Sequence, residues 1–303
     1  MVKCSCGKRA IIYVKVKGKY MCEDCFLRYF ERTALNTIRR HKLIDKRDKI
    51  AVGVSGGKDS LALLYFLNEH FDNEIFGIFI NEGIKGYREI TSKDLRKYCK
   101  RFGVECYEFS FKEEIGMTLD EMVKRGRLKP CSYCGVFRRY LLNKKARGLG
   151  ATKLAMAHNL DDEAQTILMN LFTNDVKRFM RLGYMTGIKT HPKFVPRIKP
   201  FRLLYEKEVL VYGLLKGIRV TYIQCPYAEQ AYRVRIAHVL WKLERKYPLL
   251  KYNVVKVFDP KLRELKERAK DEELRECKIC GEVTNRDICK ACEFKRELKI
   301  PIS

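Results

Sequence analysis

Six consecutive residues, Ser55-Gly56-Gly57-Lys58-Asp59-Ser60, carry the groups needed to grip a triphosphate. The paired glycines permit a tight turn and let an anion come close to the backbone. Lys58 offers a point charge, Asp59 a carboxylate for Mg²⁺, and Ser55 and Ser60 their hydroxyls. The apolar run Ile50-Ala51-Val52-Gly53-Val54 before them is of strand type, and Leu61, Leu63, Leu64 and Leu67 after them recur at helical spacing. A strand turning here into a helix leaves backbone N–H groups free at the helix's positive end, where phosphate binds. This is not the Walker pattern, which places four residues between its glycines and ends in Gly-Lys-Ser/Thr.

The chain has 13 cysteines, a number that in a cytosolic protein argues for metal rather than disulfides. Cys277-x-x-Cys280, eight residues, then Cys289-x-x-Cys292 has the spacing of a zinc knuckle closed by tetrahedral thiolates. Cys4 and Cys6 precede Cys22 and Cys25 by fifteen residues and make a second quartet, although Cys4-Ser5-Cys6 is one residue tighter than the usual pair. Zinc would supply the folding energy that modules this short lack. A third set is Cys131 and Cys134, just after Pro130, with Cys225 before Pro226. Ninety residues separate Cys134 from Cys225, so spacing alone does not join them. Buried structural thiols or a redox or persulfide pair are alternatives for this trio. Arg138 follows Cys134 by one helical turn and can reach toward a phosphate or a sulfur donor. Cys99 and Cys106 read as core or strand residues.

The elements that must hold these groups alternate. A helix is expected over Phe26 to Leu43, apolar at Phe26, Phe30, Leu35 and Ile38 and basic at Arg28, Arg32, Arg39, Arg40 and Lys42. Strands are expected at Glu74–Ile80, Val104–Phe109 and Lys153–Ala157, with a helix over Ser92–Phe102. Strands spaced by helices give a parallel, doubly wound α/β sheet. Ligands of such sheets bind beyond the carboxyl ends of the strands. The candidate segments all start there: the glycine loop with Val54, Phe79–Asn81 with Ile80, and Ala157–Gln165. Arg219–Ile223 looks strand-like before Cys225. Thr173–Arg202 is basic and poorly periodic, with Lys177, Arg178, Arg181, Lys189, Lys193, Arg197 and Lys199, and reads as a flexible cover. A basic helix is expected over Ala231–Tyr247 (Arg233, Arg235, Lys242, Arg245, Lys246), then a charged helical stretch from about Pro260 to Asp271-Glu272-Glu273. The organisation expected is a zinc-finger module at 1–30, a catalytic domain at 31–270 and a second zinc-finger module at 271–303.

Lys and Arg number 63 against 37 Asp and Glu, a net charge of +26. Such an excess suits a polyanionic partner, because each neutralised phosphate releases counterions. The charge-rich, glutamine-poor composition also fits a thermophile surface. No apolar run approaches the ~20 residues needed to span a membrane. Met-Val-Lys-Cys opens without an apolar signal segment, so a cytoplasmic location is expected.

Ser-Gly-Gly-Lys-Asp-Ser between strand and helix resembles the PP-loop of the ATP pyrophosphatase superfamily, whose members cleave ATP between its α and β phosphates and form an adenylated intermediate. His158-Asn159-Leu160-Asp161-Asp162-Glu163-Ala164-Gln165-Thr166 looks like the second signature of PP-loop tRNA-modifying enzymes, with Ala157-His158 where Gly-His is usual. That resemblance makes Ala157 and Asp162 candidates for ATP or Mg²⁺ contact. The order PP-loop, Pro-Cys-x-x-Cys, His-Asn-Leu-Asp-Asp, Cys-Pro, with knuckles at both ends, resembles the tRNA two-thiouridine synthetases of the TtuA type. It is also similar to the cytosolic wobble-uridine thiolases of the Ncs and Ctu group. The resemblance implies a [4Fe-4S] cluster on Cys131, Cys134 and Cys225, for which thiolates are the normal ligands. It implies adenylation of a uridine at O2, release of pyrophosphate and attack of sulfide at C2. It further implies tRNA as substrate, a ubiquitin-like carrier with a terminal thiocarboxylate as sulfur source, and a homodimer. The T-loop ribothymidine position is the expected target, with the wobble position second.

Overall fold

The computed structural model describes residues 2–186, 191–268 and 274–301. The N-terminal hairpin, β1 (Ile12–Val14) with β2 (Lys19–Met21), turns through Lys15–Gly18 as expected. Helix α1 spans Glu23–Arg40, a few residues ahead of expectation at both ends. Cys22 is its N-cap, and at the other end Lys42 takes a left-handed φ of 47° while the Leu43 N–H bonds back to the Ile38 carbonyl at 3.0 Å.

The centre is one parallel sheet of β3 (Ile50–Val54), β4 (Ile75–Asn81), β5 (Cys106–Ser110), β6 (Lys153–Ala155) and β7 (Arg197–Ile198), ordered β5-β4-β3-β6-β7. The chain builds outward from β3 in one direction and then in the other. The crevice for a ligand therefore opens at the carboxyl end of β3. Connecting helices are α2 (Lys58–His70), α3 (Arg88–Phe102), α4 (Phe111–Ile115), α5 (Leu119–Arg125), α6 (Pro130–Gly148), α7 (Leu160–Phe172), α8 (Val176–Met180) and α9 (Glu206–Leu215). Helices α10 (Tyr232–Lys246) and α11 (Leu250–Arg268) follow, then the hairpin β8 (Arg275–Glu276) with β9 (Val283–Thr284), and α12 (Lys290–Glu297).

The near-continuous apolar strands are buried on both faces, as a parallel sheet requires. On one face α1, α2 and α9 pack, with Phe30 stacked on Tyr212 at 4.0 Å. On the other, α4 and α6 meet the C-terminal module, where Phe294 lies 5.0 Å from Tyr133 and 6.2 Å from Phe137. A third apolar cluster joins α7, α10 and α11.

Three expectations are corrected. Thr173–Arg202 is not simply a loose cover: within its described residues it forms α8 and β7, which pairs in parallel with β6. Lys193 ties it to the last module through Glu276 (2.6 Å) and the Gly281 carbonyl (3.1 Å); Lys189 falls outside the described residues. Arg219–Ile223 is not a strand. The Tyr98 hydroxyl instead clamps Arg219 at both its N–H (2.6 Å) and its carbonyl (2.7 Å), and Tyr222 stands 91% exposed. The charged helical stretch begins at Leu250 and runs through Pro260, and Asp271-Glu272-Glu273 lies outside the described residues. Cys99 in the core and Cys106 in β5 stand where expected, and the two are joined by a disulfide, because the end of α3 and the start of β5 lie side by side.

Candidate active site

The glycine loop leaves β3 at Val54 and enters α2 at Lys58. Gly56 has φ +76°, and a Cβ there would stand 2.1 Å from the Thr91 carbonyl oxygen of α3. No other residue fits this point without moving α3 or the loop. Both serine hydroxyls are spent on the loop itself. The Ser55 N–H donates to Ser60 Oγ (3.0 Å), Ser60 Oγ donates to the Gly57 carbonyl (2.9 Å), and the Gly57 N–H donates to Ser55 Oγ (3.3 Å). Val54 and Ile80 have their side chains in the core, so backbone is what they can present to a nucleotide.

Lys58 Nζ donates to the Asp59 carboxylate (2.8 and 3.0 Å) and to Glu206 Oε1 at the start of α9 (2.8 Å). Burial works against the Lys58 charge, but Asp59 and Glu206 outweigh it and hold the ammonium above its usual range. Burial pushes the Asp59 carboxyl up to about 6; Lys58 opposes this, while Glu206 and Asp162 add to it. A carboxylate binds metal only when ionised, so if Asp59 holds Mg²⁺, acid would compete with the ion. Asp59's folded pKa is raised, so its neutral form is favoured as pH falls through about 6. Mg·ATP affinity is therefore expected to fall below pH 6 by about tenfold per unit. Asp59→Asn should bind more weakly and lose that part of the slope, as equilibrium dialysis between pH 5 and 8 would read.

At the end of β6 the chain passes Ala157 and His158 into α7. Asn159 and Asp162 close a reciprocal capping box. The adjacent acids then part company. Asp161 accepts from Lys251 Nζ (2.5 Å) and from the Glu206 N–H (2.8 Å), fastening α7 to α11 and α9. Asp162 points to the cleft side, a third exposed, where Arg233 of α10 donates to its Oδ1 (3.2 Å) and to Thr166 Oγ1 (3.0 Å). His158 is neutral, its pKa pulled down to about 4 by burial and then by Lys199.

Cys131 lies exposed in the first turn of α6, with Cys134 and Cys225 half-buried. The Cys134 thiol is pushed up to about 11 by burial, against the pull of Arg138, and the charge of Cys225 adds to the raised value of Cys131 after burial. Of the three thiols, Cys131 lies one turn of α6 from Cys134 and within electrostatic reach of Cys225. They are not drawn as tight as the two quartets, Cys4, Cys6, Cys22, Cys25 and Cys277, Cys280, Cys289, Cys292, whose sulfurs each lie within 4.8 Å of one another. A thiolate tetrahedron around one zinc has edges of roughly 3.8 Å, so each quartet suits a single ion, and the short Cys4-Ser5-Cys6 step does not prevent closure. The trio is all sulfur, which is the donor chemistry that an iron–sulfur cluster takes. Arg138 Nη2 donates to Cys134 Sγ at 3.2 Å and pairs with Glu82 Oε1 at 2.5 Å.

Three participants have no sequence signal, Glu82, Arg88 and Glu206, and Arg233 is marked only as one residue of the basic helix. Arg88 donates from Nη1 to the Ser55 carbonyl (3.0 Å) and from Nε to Glu82 Oε2. The contacts that tie them to the loop and to α7 reach across 33, 71 and 148 residues, so no local spacing marks them.

A PP-loop domain model matches residues 28–223. A probable sulfurtransferase of Methanocaldococcus jannaschii is 39% identical, over 98% of this chain and 88% of its own length. The tRNA-5-methyluridine(54) 2-sulfurtransferase of Pyrococcus horikoshii is 36% identical, over 100% and 97%. Among solved structures, the U34-tRNA thiolase NcsA of Methanococcus maripaludis, with its [4Fe-4S] cluster, superposes with TM-score 0.85 at 36% identity, covering 98% of this chain and 97% of that one.

Proposed function

We propose, from the premise that this chain belongs to the PP-loop family of tRNA 2-thiolation enzymes, that it is an ATP-dependent tRNA sulfurtransferase. The observation that carries the reading is that the glycine loop and Cys134 lie at the two ends of one line of contacts, Ser55–Arg88–Glu82–Arg138–Cys134. The loop N–H groups and Lys58 take the phosphates, and Asp59 and Asp162 hold Mg²⁺. Uridine O2 attacks the α-phosphorus, the α–β bridging bond breaks and pyrophosphate leaves. Sulfide then adds at C2, and AMP departs with the former O2. The protein's part is to position these groups and to balance phosphate charge. A [4Fe-4S] cluster on Cys131, Cys134 and Cys225 supplies, when bound, an iron with affinity for sulfide. Arg138 sets a cation beside that pocket.

The T-loop uridine at position 54 is the proposed target, as in the Pyrococcus relative. The wobble uridine is the second reading, favoured by the superposition on a U34-tRNA thiolase. Exposed Arg28, Arg32, Arg39, Arg40 and Lys42 on and just after α1, and Arg235, Lys242, Arg245 and Lys246 on α10, give two basic tracks for folded RNA, read by shape. The modules 1–30 and 271–303, each with one zinc, flank the catalytic domain 31–270. A ubiquitin-like thiocarboxylate carrier, a homodimer and a cytoplasmic location complete the proposal. No helix among the described residues is long and apolar enough to cross a membrane.

The test is anaerobic purification, cluster reconstitution and incubation with ATP, sulfide and bulk tRNA, with the thiolated nucleotide mapped. The expected result is tRNA-dependent conversion of ATP to AMP and a 2-thiouridine at position 54. Mapping to the anticodon would select the second reading. AMP formation indifferent to tRNA would overturn both.

A further inference from the structure

Glu82 follows the last residue of β4 and is wholly buried, as is nearly all of Arg88. A buried carboxylate must be paired, and Glu82 uses each oxygen on a different arginine. Oε2 accepts from Arg88 Nε, and Oε1 forms an ion pair with Arg138 Nη2 at 2.5 Å. The two arginines serve different sites. Arg88 reaches the Ser55 carbonyl at 3.0 Å and Thr91 Oγ1 at 3.3 Å, the residue whose own carbonyl crowds Gly56. Arg138 donates to Cys134 Sγ at 3.2 Å. Glu82 itself cannot drift. Its carbonyl accepts from the Leu119 N–H (2.7 Å), the Gly83 N–H is held by Asn81 Oδ1 (2.8 Å), and a Cβ on Gly83 would meet Thr118 at 2.5 Å. The Arg88 guanidinium is further held over Phe79 (5.2 Å) and Tyr87 (4.9 Å).

We propose that Glu82 is a positioning residue that couples the nucleotide loop to the cysteine pocket, through Arg88 on one oxygen and Arg138 on the other. Arg88, nearly all buried, cannot leave Glu82 without stranding a charge away from water, which is strongly unfavourable, and the partly exposed Arg138 is what neutralises the other oxygen of the buried carboxylate. A shift of the Ser55 carbonyl as the loop closes on phosphate therefore changes how Arg138 is held beside Cys134. Filling the cysteine pocket changes the loop by the same free energy, since coupling between sites is reciprocal. Adenylation and sulfur delivery must meet at one uridine, and this contact lets each pocket register the other's state.

Spatial intermediacy alone does not establish coupling, so the test reads ATP affinity rather than turnover. Full-length, zinc-loaded chain is compared iron-free and cluster-reconstituted, without air, for its Mg·ATP dissociation constant. In the wild type the two forms should differ by about fivefold or more, the lower end of usual coupling. Glu82→Gln keeps the shape but removes the charge; it should bind ATP and take up iron, with the difference reduced below about twofold. Arg88→Lys keeps a cation beside Glu82 but cannot also reach the Ser55 carbonyl. It should show the same loss, and it decides the matter if Glu82→Gln fails to fold. A wild type with no difference, or variants that retain it, would overturn the coupling. The inference rests on the loop being an ATP site. If the wild type binds no ATP, that reading falls; if ATP binds normally without linkage, only the coupling does.

Discussion

Alanine at Cys131, Cys134 or Cys225 is expected to abolish tRNA thiolation while the chain keeps both zinc ions. The three thiols lie outside both quartets, whose own sulfurs close on one another. Cys131 is exposed and Cys225 sits in a loop, so neither change opens a core cavity. Cys134 is half-buried, and its truncation should cost about 1 kcal/mol, well within the stability of a domain. Activity should fall by at least ~10³-fold, more than about 4 kcal/mol of barrier, because a missing ligand removes the sulfur-bearing group altogether. Zinc by atomic absorption and thiolated nucleoside by mass spectrometry give the two readouts. Loss of zinc in step with activity would refute the division of the cysteines. An active Cys225→Ala chain would remove that residue from the pocket.

Gly56→Ala should be the most damaging added methyl among the described glycines. The left-handed φ of +76° alone disfavours an L-residue by roughly 1–2 kcal/mol. The added Cβ would also lie 2.1 Å from a backbone oxygen of α3, which no rotamer change can relieve. The loop must therefore swing away from α3, carrying the Ser55 carbonyl off Arg88 and its N–H groups off the phosphate position. Mg·ATP affinity is expected to weaken by ~100-fold or more, roughly 3 kcal/mol. Gly103→Ala is the control, since it has φ +65° but nothing within 4 Å of the added methyl. That chain should lose about 1 kcal/mol of stability and bind ATP as the wild type does. Calorimetric titration and thermal melting separate the two effects. Normal affinity in Gly56→Ala would show that the close approach to α3 does not hold the loop in its binding shape.

Much of the fold can be read along the chain because its signals are local. The apolar runs Ile50–Val54 and Glu74–Ile80 mark buried parallel strands, and they pair with each other as β3 and β4. Cys277, Cys280, Cys289 and Cys292 converge because a knuckle needs only a tight hairpin and one helical turn. Arg219–Ile223 misleads for the converse reason. It has the composition of a strand, but a strand needs a neighbouring strand, and the backbone of Arg219 is instead taken up by the Tyr98 hydroxyl of α3.

Residue type and short-range spacing alone determined that this chain carries a phosphate-type loop between a strand and a helix, two thiolate quartets and a strongly basic surface. Each of those depends on backbone geometry or composition within short stretches of chain. Only the tertiary structure decided which charge faces which. Lys58 meets Glu206, Arg233 meets Asp162, and Glu82 stands between Arg88 and Arg138. It likewise brought Cys99 against Cys106, and Cys131 within electrostatic reach of Cys225. Such pairings follow from burial, which forces each desolvated charge or thiol to find a partner wherever the packing of distant segments supplies one.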